Sequence, residues 1–248
     1  MRKLVFAAIL AGIVMTGCKP KESGNKSGCL DGNMTAETVE LASCEINIGG
    51  IHFTKSKNGA EKRITLLGDT LKFVAGPQTD YFRSSDGSVV NSSAIIFTEV
   101  DNTKPFTFTA KVQPHFTKTG TYSAGVLYAY ETDTHSQKLC FEQDEYGDHR
   151  VVSVRTIGTS DDNNHQAIDS PSVYMRLSSD GTSLGSYFSQ DGKIWHMARL
   201  YKNDFPKRLL LGLSSQSPKD NEHTCYFTDI SLKQESVPNF RTGKLNGE

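Results

Sequence analysis

Four acids crowd into "FEQDEYGD": Glu142, Asp144, Glu145 and Asp148. Two carboxyl groups on one strand face can hydrolyse a glycosidic bond, one as nucleophile and one as proton donor, when they lie about 5–5.5 Å apart. Alternation puts Glu142 and Asp144 on the same face, about 6.8 Å apart at Cα. Tyr146 and Gly147 then begin a turn, which favours reading the run as a solvated hairpin tip. No catalytic residue is assigned.

A second set suits binding. Tyr128 and Tyr130 share a parity on one strand-like run, Lys138 and Glu142 on the next, and Tyr174 and Arg176 on a third. Aromatic rings stack on the C–H face of a sugar, and charged groups hydrogen-bond its hydroxyls. The alternative is that both tyrosines are core and that Lys138, Glu142 and Arg176 form a structural ion-pair cluster. "TSDDNNH" at 159–165 offers oxygen ligands for calcium but lacks the spacing and glycine of an EF-hand loop, and Asp-Asn runs also build Asx turns. No cofactor is assigned beyond that possible calcium. The seven histidines are scattered, so no metal site is read from them.

The elements that must carry these residues are strands. "PFTFTAKVQP" turns Phe106, Phe108, Ala110 and Val112 to one side, and "VYMRLS" does the same with Val173, Met175 and Leu177. "SAGVLYAYE" is apolar on both faces and reads as a central strand. "RLLLGLSS" offers Leu209, Leu211 and Leu213 to one side, and the parity change in "CYFTDISL" predicts a bulge at Thr228–Asp229. Only "AETVELAS" at 36–43 suggests a short helix. Three S-x-D-G copies, at Ser84, Ser178 and Ser189, have spacings without a period, so they are hairpin turns and not propeller repeats. Around Asp191–Gly192 a two-residue turn sets Phe188 opposite Trp195.

The start is a targeting segment. Arg2 and Lys3 precede an apolar run, Leu4–Met15, that is too short to span a bilayer and ends in "MTGCKP". It resembles a bacterial lipoprotein signal, which implies lipidation at Cys18. The expected domains are 1–17 signal, 18–45 tether and N-terminal segment, 46–234 sandwich, and 235–248 tail. Cys29 and Cys44 could close a small loop, and Cys140 and Cys225 are either a bridge or two buried thiols. A formal net charge of −1 without a basic tract argues against nucleic acid.

"GPQTDYFRSSDG", "YSAGVLYAY", "KLCFEQDEYGDHRVVSVRT", "VYMRLSSDG", "YFSQDGKIWHMARL", "LGLSSQSP" and "CYFTDISL" follow one another in order. Together they resemble the bacterial domain family of unknown function named after yeast regulation of enolase, in the concanavalin A-like superfamily. The resemblance covers roughly 46–234. It implies an all-β, two-sheet antiparallel jelly-roll sandwich with one curved sheet, similar to the accessory sandwiches of some family-43 glycosidases. The third acid that continues the glucanase signature of that superfamily is missing after Glu142 and Asp144. Phe82 stands where family members often have tryptophan, and His135–Gln137 and "SDDNN" stand where an aromatic residue is common.

The expected function is non-catalytic binding of a polysaccharide or glycoconjugate by a lipid-anchored protein of the bacterial cell envelope, held at the outer membrane. One alternative is a glycoside hydrolase or lyase using Glu142 with a second carboxylate. Another is an envelope protein-interaction subunit with no small ligand.

Overall fold

Strict alternation needs two faces in different surroundings, and this chain supplies them by stacking one sheet on another. The computed structural model describes residues 40–248; Cys18, Cys29 and the segment boundaries before residue 40 lie outside the described residues. In chain order the first strands are β1 (Ala42–Ile48), β2 (Ile51–Lys57), β3 (Ile64–Leu67), β4 (Thr70–Ala75), β5 (Tyr81–Arg83) and β6 (Val89–Asn91). There follow β7 (Ile95–Asp101), β8 (Phe106–Pro114), β9 (Ala124–Thr132), β10 (His135–Gln143), β11 (His149–Ile157) and β12 (Thr159–Ala167). The last are β13 (Val173–Ser179), β14 (Ser183–Ser189), β15 (His196–Lys202), β16 (Arg208–Gln216) and β17 (His223–Lys233).

The first sheet has eight strands in the order β1-β2-β7-β16-β9-β10-β11-β12, and the second has seven, β15-β14-β13-β8-β17-β4-β3. All pairings are antiparallel. The fold is the expected all-β sandwich of concanavalin-like type. β5 and β6 pair only with each other, as a separate hairpin.

The main core lies between the sheets. Phe108, Ala110, Val112, Val173, Met175 and Leu177 meet Leu127, Leu139, Phe141, Leu209, Leu211 and Leu213 there, all fully buried. β9 sits mid-sheet between β16 and β10, which is why its residues are apolar on both faces. The bulge falls where the parity changes, between Thr228 and Ser231, with Asp229 in the left-handed region at φ 48°.

Several expectations change. The short helix expected at 36–43 falls partly on residues outside the described ones; at its end Ala42 and Ser43 open strand β1, in which Cys44, Ile46 and Ile48 alternate into the core. The β14–β15 connection is longer than two residues. Phe188 pairs with His196, their rings stacked at 5.3 Å, and Trp195 stays in the loop. There the Asp191 carboxylate accepts from the N–H groups of Lys193 and Ile194, and the Ser189 hydroxyl accepts from Gly192 N–H. Asp180 caps its own turn alike. Cys140 and Cys225 are thiols, not a bridge: Cys225 lies in the core between the sheets and Cys140 on the outer face of the first sheet.

Candidate functional site

Residues of the first sheet that point away from the core form a second apolar layer. Val126, Tyr128 and Tyr130 of β9, Cys140 of β10, and Val152 and Val154 of β11 belong to it, with Tyr81 of the β5–β6 hairpin packed on top. Tyr81 and Tyr128 meet edge-on at 6.1 Å. The hairpin is pinned by a buried ionic cluster. Lys57 Nζ donates to Asp133 Oδ1 at 2.5 Å, and the hydroxyls of Tyr81 and Tyr130 donate to the same oxygen. Asn91 of β6 reaches the other Asp133 oxygen at 3.1 Å.

Beyond the hairpin's edge the face is uncovered, and a cavity of about 320 Å³ opens there. Register explains its floor. Gln216 of β16 and Glu142 of β10 both pair with Ala124 of β9. That small residue lets the two longer side chains approach above it, Gln216 Nε2 donating to Glu142 Oε2 at 3.4 Å. Lys138 Nζ donates to Gln216 Oε1 at 3.2 Å and to Asp80 Oδ1 at 3.0 Å. Asp80 thus closes a continuous polar chain, Asp80–Lys138–Gln216–Glu142.

Phe82 forms one wall, its ring centroid 5.8 Å from Lys138 Nζ. Tyr122 forms another; it is held at φ 64°, a left-handed conformation uncommon for a bulky residue, and its carbonyl accepts from Gln216 Nε2. Asp162 and Asn164 complete the rim from β12, opposite Val154 and Val152. The "TSDDNNH" run is therefore the edge strand of the first sheet and not an Asx turn. No cluster of metal-ligating side chains occurs among the described residues.

The charges are uneven. Burial pushes the Glu142 carboxyl up to about 8, with Asp80, Asp162 and Asp144 adding to the rise and Lys138 opposing it. Burial works to lower Lys138, but the Asp80 carboxylate, Cys140 and Glu142 together hold the ammonium above its ordinary value. Burial also works to raise Asp144, yet its hydrogen bonds win and it stays low. Those bonds occupy it fully: Oδ1 accepts from Tyr146 and Asp148 N–H, and Oδ2 from Arg150.

Of the six binding candidates, Lys138 and Glu142 reach the cavity. Tyr128 and Tyr130 occupy the right face but lie fully buried beneath the hairpin, with no surface for a ligand. Tyr174 and Arg176 belong to β13 of the other sheet, so the three runs are not neighbouring strands. Arg176 pairs with Glu248 and not with Glu142. Asp80, Phe82, Tyr122 and Gln216 are not among the sequence candidates, and Asp162 and Asn164 enter there only through the oxygen-rich "TSDDNNH" run.

The sequence model of the family described as "Protein of unknown function (DUF1349)" matches residues 58–235. No curated protein matches the chain. Among solved structures, a functionally unknown protein from Saccharomyces cerevisiae is similar at 21% identity and a TM-score of 0.66, over 73% of this chain and 96% of that one. The GH43 BlXynB protein from Bacillus licheniformis is similar at 12% identity and a TM-score of 0.56, over 74% of this chain and 36% of its own. Bacteroides ovatus Xyloglucan PUL GH43B is similar at 12% identity and a TM-score of 0.53, over 74% and 36%. The chain spans about a third of the length of each of these last two, and the likeness is one of fold.

Proposed function

The chain belongs to the DUF1349 family of unknown function, so its role has to be read from its own site, and we propose that the cavity beside the β5–β6 hairpin binds a glycan without cleaving it. One observation carries the reading: an aromatic wall, Phe82, stands over a floor of linked amide, carboxyl and ammonium groups. A sugar ring needs that combination, a flat apolar face and planar polar groups at fixed positions. Lys138 and Gln216 are fixed before any ligand arrives, so little side-chain entropy is lost on binding.

Cleavage is the second reading, favoured by the raised proton affinity of Glu142, which suits a proton donor. It requires a second carboxylate free to act. Asp144, the neighbour on the same strand run, has both oxygens committed to its turn and to Arg150. Asp80 is likewise held by Lys138, so cleavage would have to draw on Asp162 or Glu145 of the rim, whereas binding uses the linked floor as it stands.

In this proposal the protein works at the bacterial cell envelope, tethered through an acylated Cys18, with a polysaccharide or glycoconjugate as partner. Affinity gels against soluble polysaccharides provide the test. The wild type is retarded by at least one of them, Phe82→Ala and Gln216→Ala are not, and no reducing ends are released. Absence of retardation across the panel would overturn binding; reducing ends that disappear in Glu142→Gln would establish hydrolysis instead.

A further inference from the structure

The outer face of the second sheet carries another arrangement, unconnected with the cavity. Arg176 projects from β13 away from the core and is nevertheless only 2% exposed. Its guanidinium carbon sits over Trp195, 3.7 Å from the ring centroid. Nε donates to Thr109 Oγ1 at 3.0 Å, and Nη1 to the Gly243 carbonyl at 2.7 Å. Nη1 and Nη2 grip the two oxygens of Glu248 at 2.9 and 2.7 Å, a two-pronged geometry that is specific for a carboxylate.

Residues 235–248 supply that carboxylate and the rest of the cover. Val237 and Leu245 bury themselves with Tyr187 and Trp195. Main-chain groups of the segment are read individually: Glu235 O by Thr107, Val237 N–H by Ser178, and Phe240 O by Tyr187. Gly243, at φ 66°, lies so close to Tyr187 that a Cβ would come within 2.5 Å of its ring. This is recognition of a peptide, through its backbone, two apolar anchors and one acid.

Two observations suggest that the segment is an occupant of the face and not a part of it. It contributes no strand to either sheet, and from residue 236 on it lies beyond the family match, which ends at residue 235, while Thr109, Arg176, Tyr187 and Trp195 all fall inside that match. The fit is also incomplete. The indole N–H of Trp195, on a residue only 6% exposed, has no acceptor, and an unpaired buried donor favours a ligand that satisfies it.

We propose that this face is a docking site for a glutamate-bearing peptide segment, with Arg176 and Trp195 reading the glutamate, and that residues 235–248 fill it in cis as a displaceable strap. The strap is held by side-chain contacts without a ladder of its own, so it opens locally while the sandwich stays folded.

Trp195 is the single tryptophan of the chain, so its fluorescence reports the strap directly. In the full chain, Glu248→Ala is expected to raise acrylamide quenching of Trp195 about threefold. Adding the peptide VPNFRTGKLNGE, the sequence of residues 237–248, restores shielding, and the same peptide carrying Glu248→Gln binds at least tenfold more weakly. Hydrogen exchange supplies an independent measure in the wild type: the amides of Val237 and Gly243 exchange at least tenfold faster than that of Thr109. The proposal is overturned if Trp195 remains shielded in Glu248→Ala, if the peptide leaves quenching unchanged, or if Val237 and Thr109 exchange together.

Discussion

The outer faces of the two sheets use the same device with opposite results. On each, a strand offers a cation away from the core, Lys138 or Arg176, and a segment lying over the sheet answers with a carboxylate, Asp80 or Glu248. Over the first sheet the cover is a hairpin locked by Asp133, and it stops short, leaving a cavity beside Lys138. Over the second sheet the cover is a strandless segment, and its Gly243 carbonyl and Glu248 carboxylate accept from both Nη groups of Arg176. An ion pair under a cover therefore marks neither a site nor its absence. What decides is whether the cover is fixed and whether it fills the space around the charge.

That contrast can be broken first at its strongest anchor. Asp133→Ala strands Lys57, whose side chain is only 9% exposed and whose strand is hydrogen-bonded into the first sheet. A buried charge without a partner costs about 3–5 kcal/mol, so chemical denaturation is expected to show a loss of that order together with weakened glycan retention. A loss near zero would mean that the hairpin is not locked there.

Arg176→Met breaks the corresponding pair over the second sheet, but the freed Glu248 can carry its segment out into water. The cost is capped by strap opening at about 1–2 kcal/mol, a melting shift of roughly 2–8 °C. A loss matching that of Asp133→Ala would erase the difference between the two covers.

Gly192 sharpens the comparison on the loop that presents Trp195. It sits at φ 71°, where an added Cβ would also come within 3.3 Å of the Tyr174 ring. Gly192→Val is expected to cost about 1 kcal/mol or more, seen as a lowered melting temperature with increased quenching of Trp195. An unchanged melting temperature would show that this turn bears no strain.

The smallest effect is a pH dependence. Glu142 is raised to about 8 in the folded protein from an ordinary 4.5, so between those values the folded state binds the extra proton and stability falls as pH rises. Glu142→Gln removes the penalty. It should melt about 2–4 °C above the wild type at pH 8, roughly 1 kcal/mol, with the gain vanishing near pH 4. A gain independent of pH would show that Glu142 does not titrate in this window.

Much of the fold is legible in the residues themselves. "PFTFTAKVQP" and "VYMRLS" show which side chains enter a core, and "CYFTDISL" shows where a strand must bulge, because a parity of two is a local property of the backbone. The end of "AETVELAS" is less legible for the same reason: a short run can satisfy either period, and Ala42 and Ser43 join β1 because β2 pairs with them. Lys138 and Glu142 could be found as outward polar residues on one strand. Tyr128 and Tyr130 could not be told apart from ligand-stacking aromatics, since alternation distinguishes two faces but does not show which one a hairpin covers.

The sequence by itself determined the alternating strands such as β8 and β13, their inward and outward sides, and the antiparallel sandwich that such strands must form to bury one face. Only the tertiary structure decided which sheet each strand joined and what lay over it. Asp80 meets Lys138 across 58 positions, and Glu248 meets Arg176 across 72. No local pattern encodes contacts at that separation, because they depend on the order of strands within the sheets and on where the connecting chain is left to lie. The cavity of the first sheet and the closed face of the second both follow from that order.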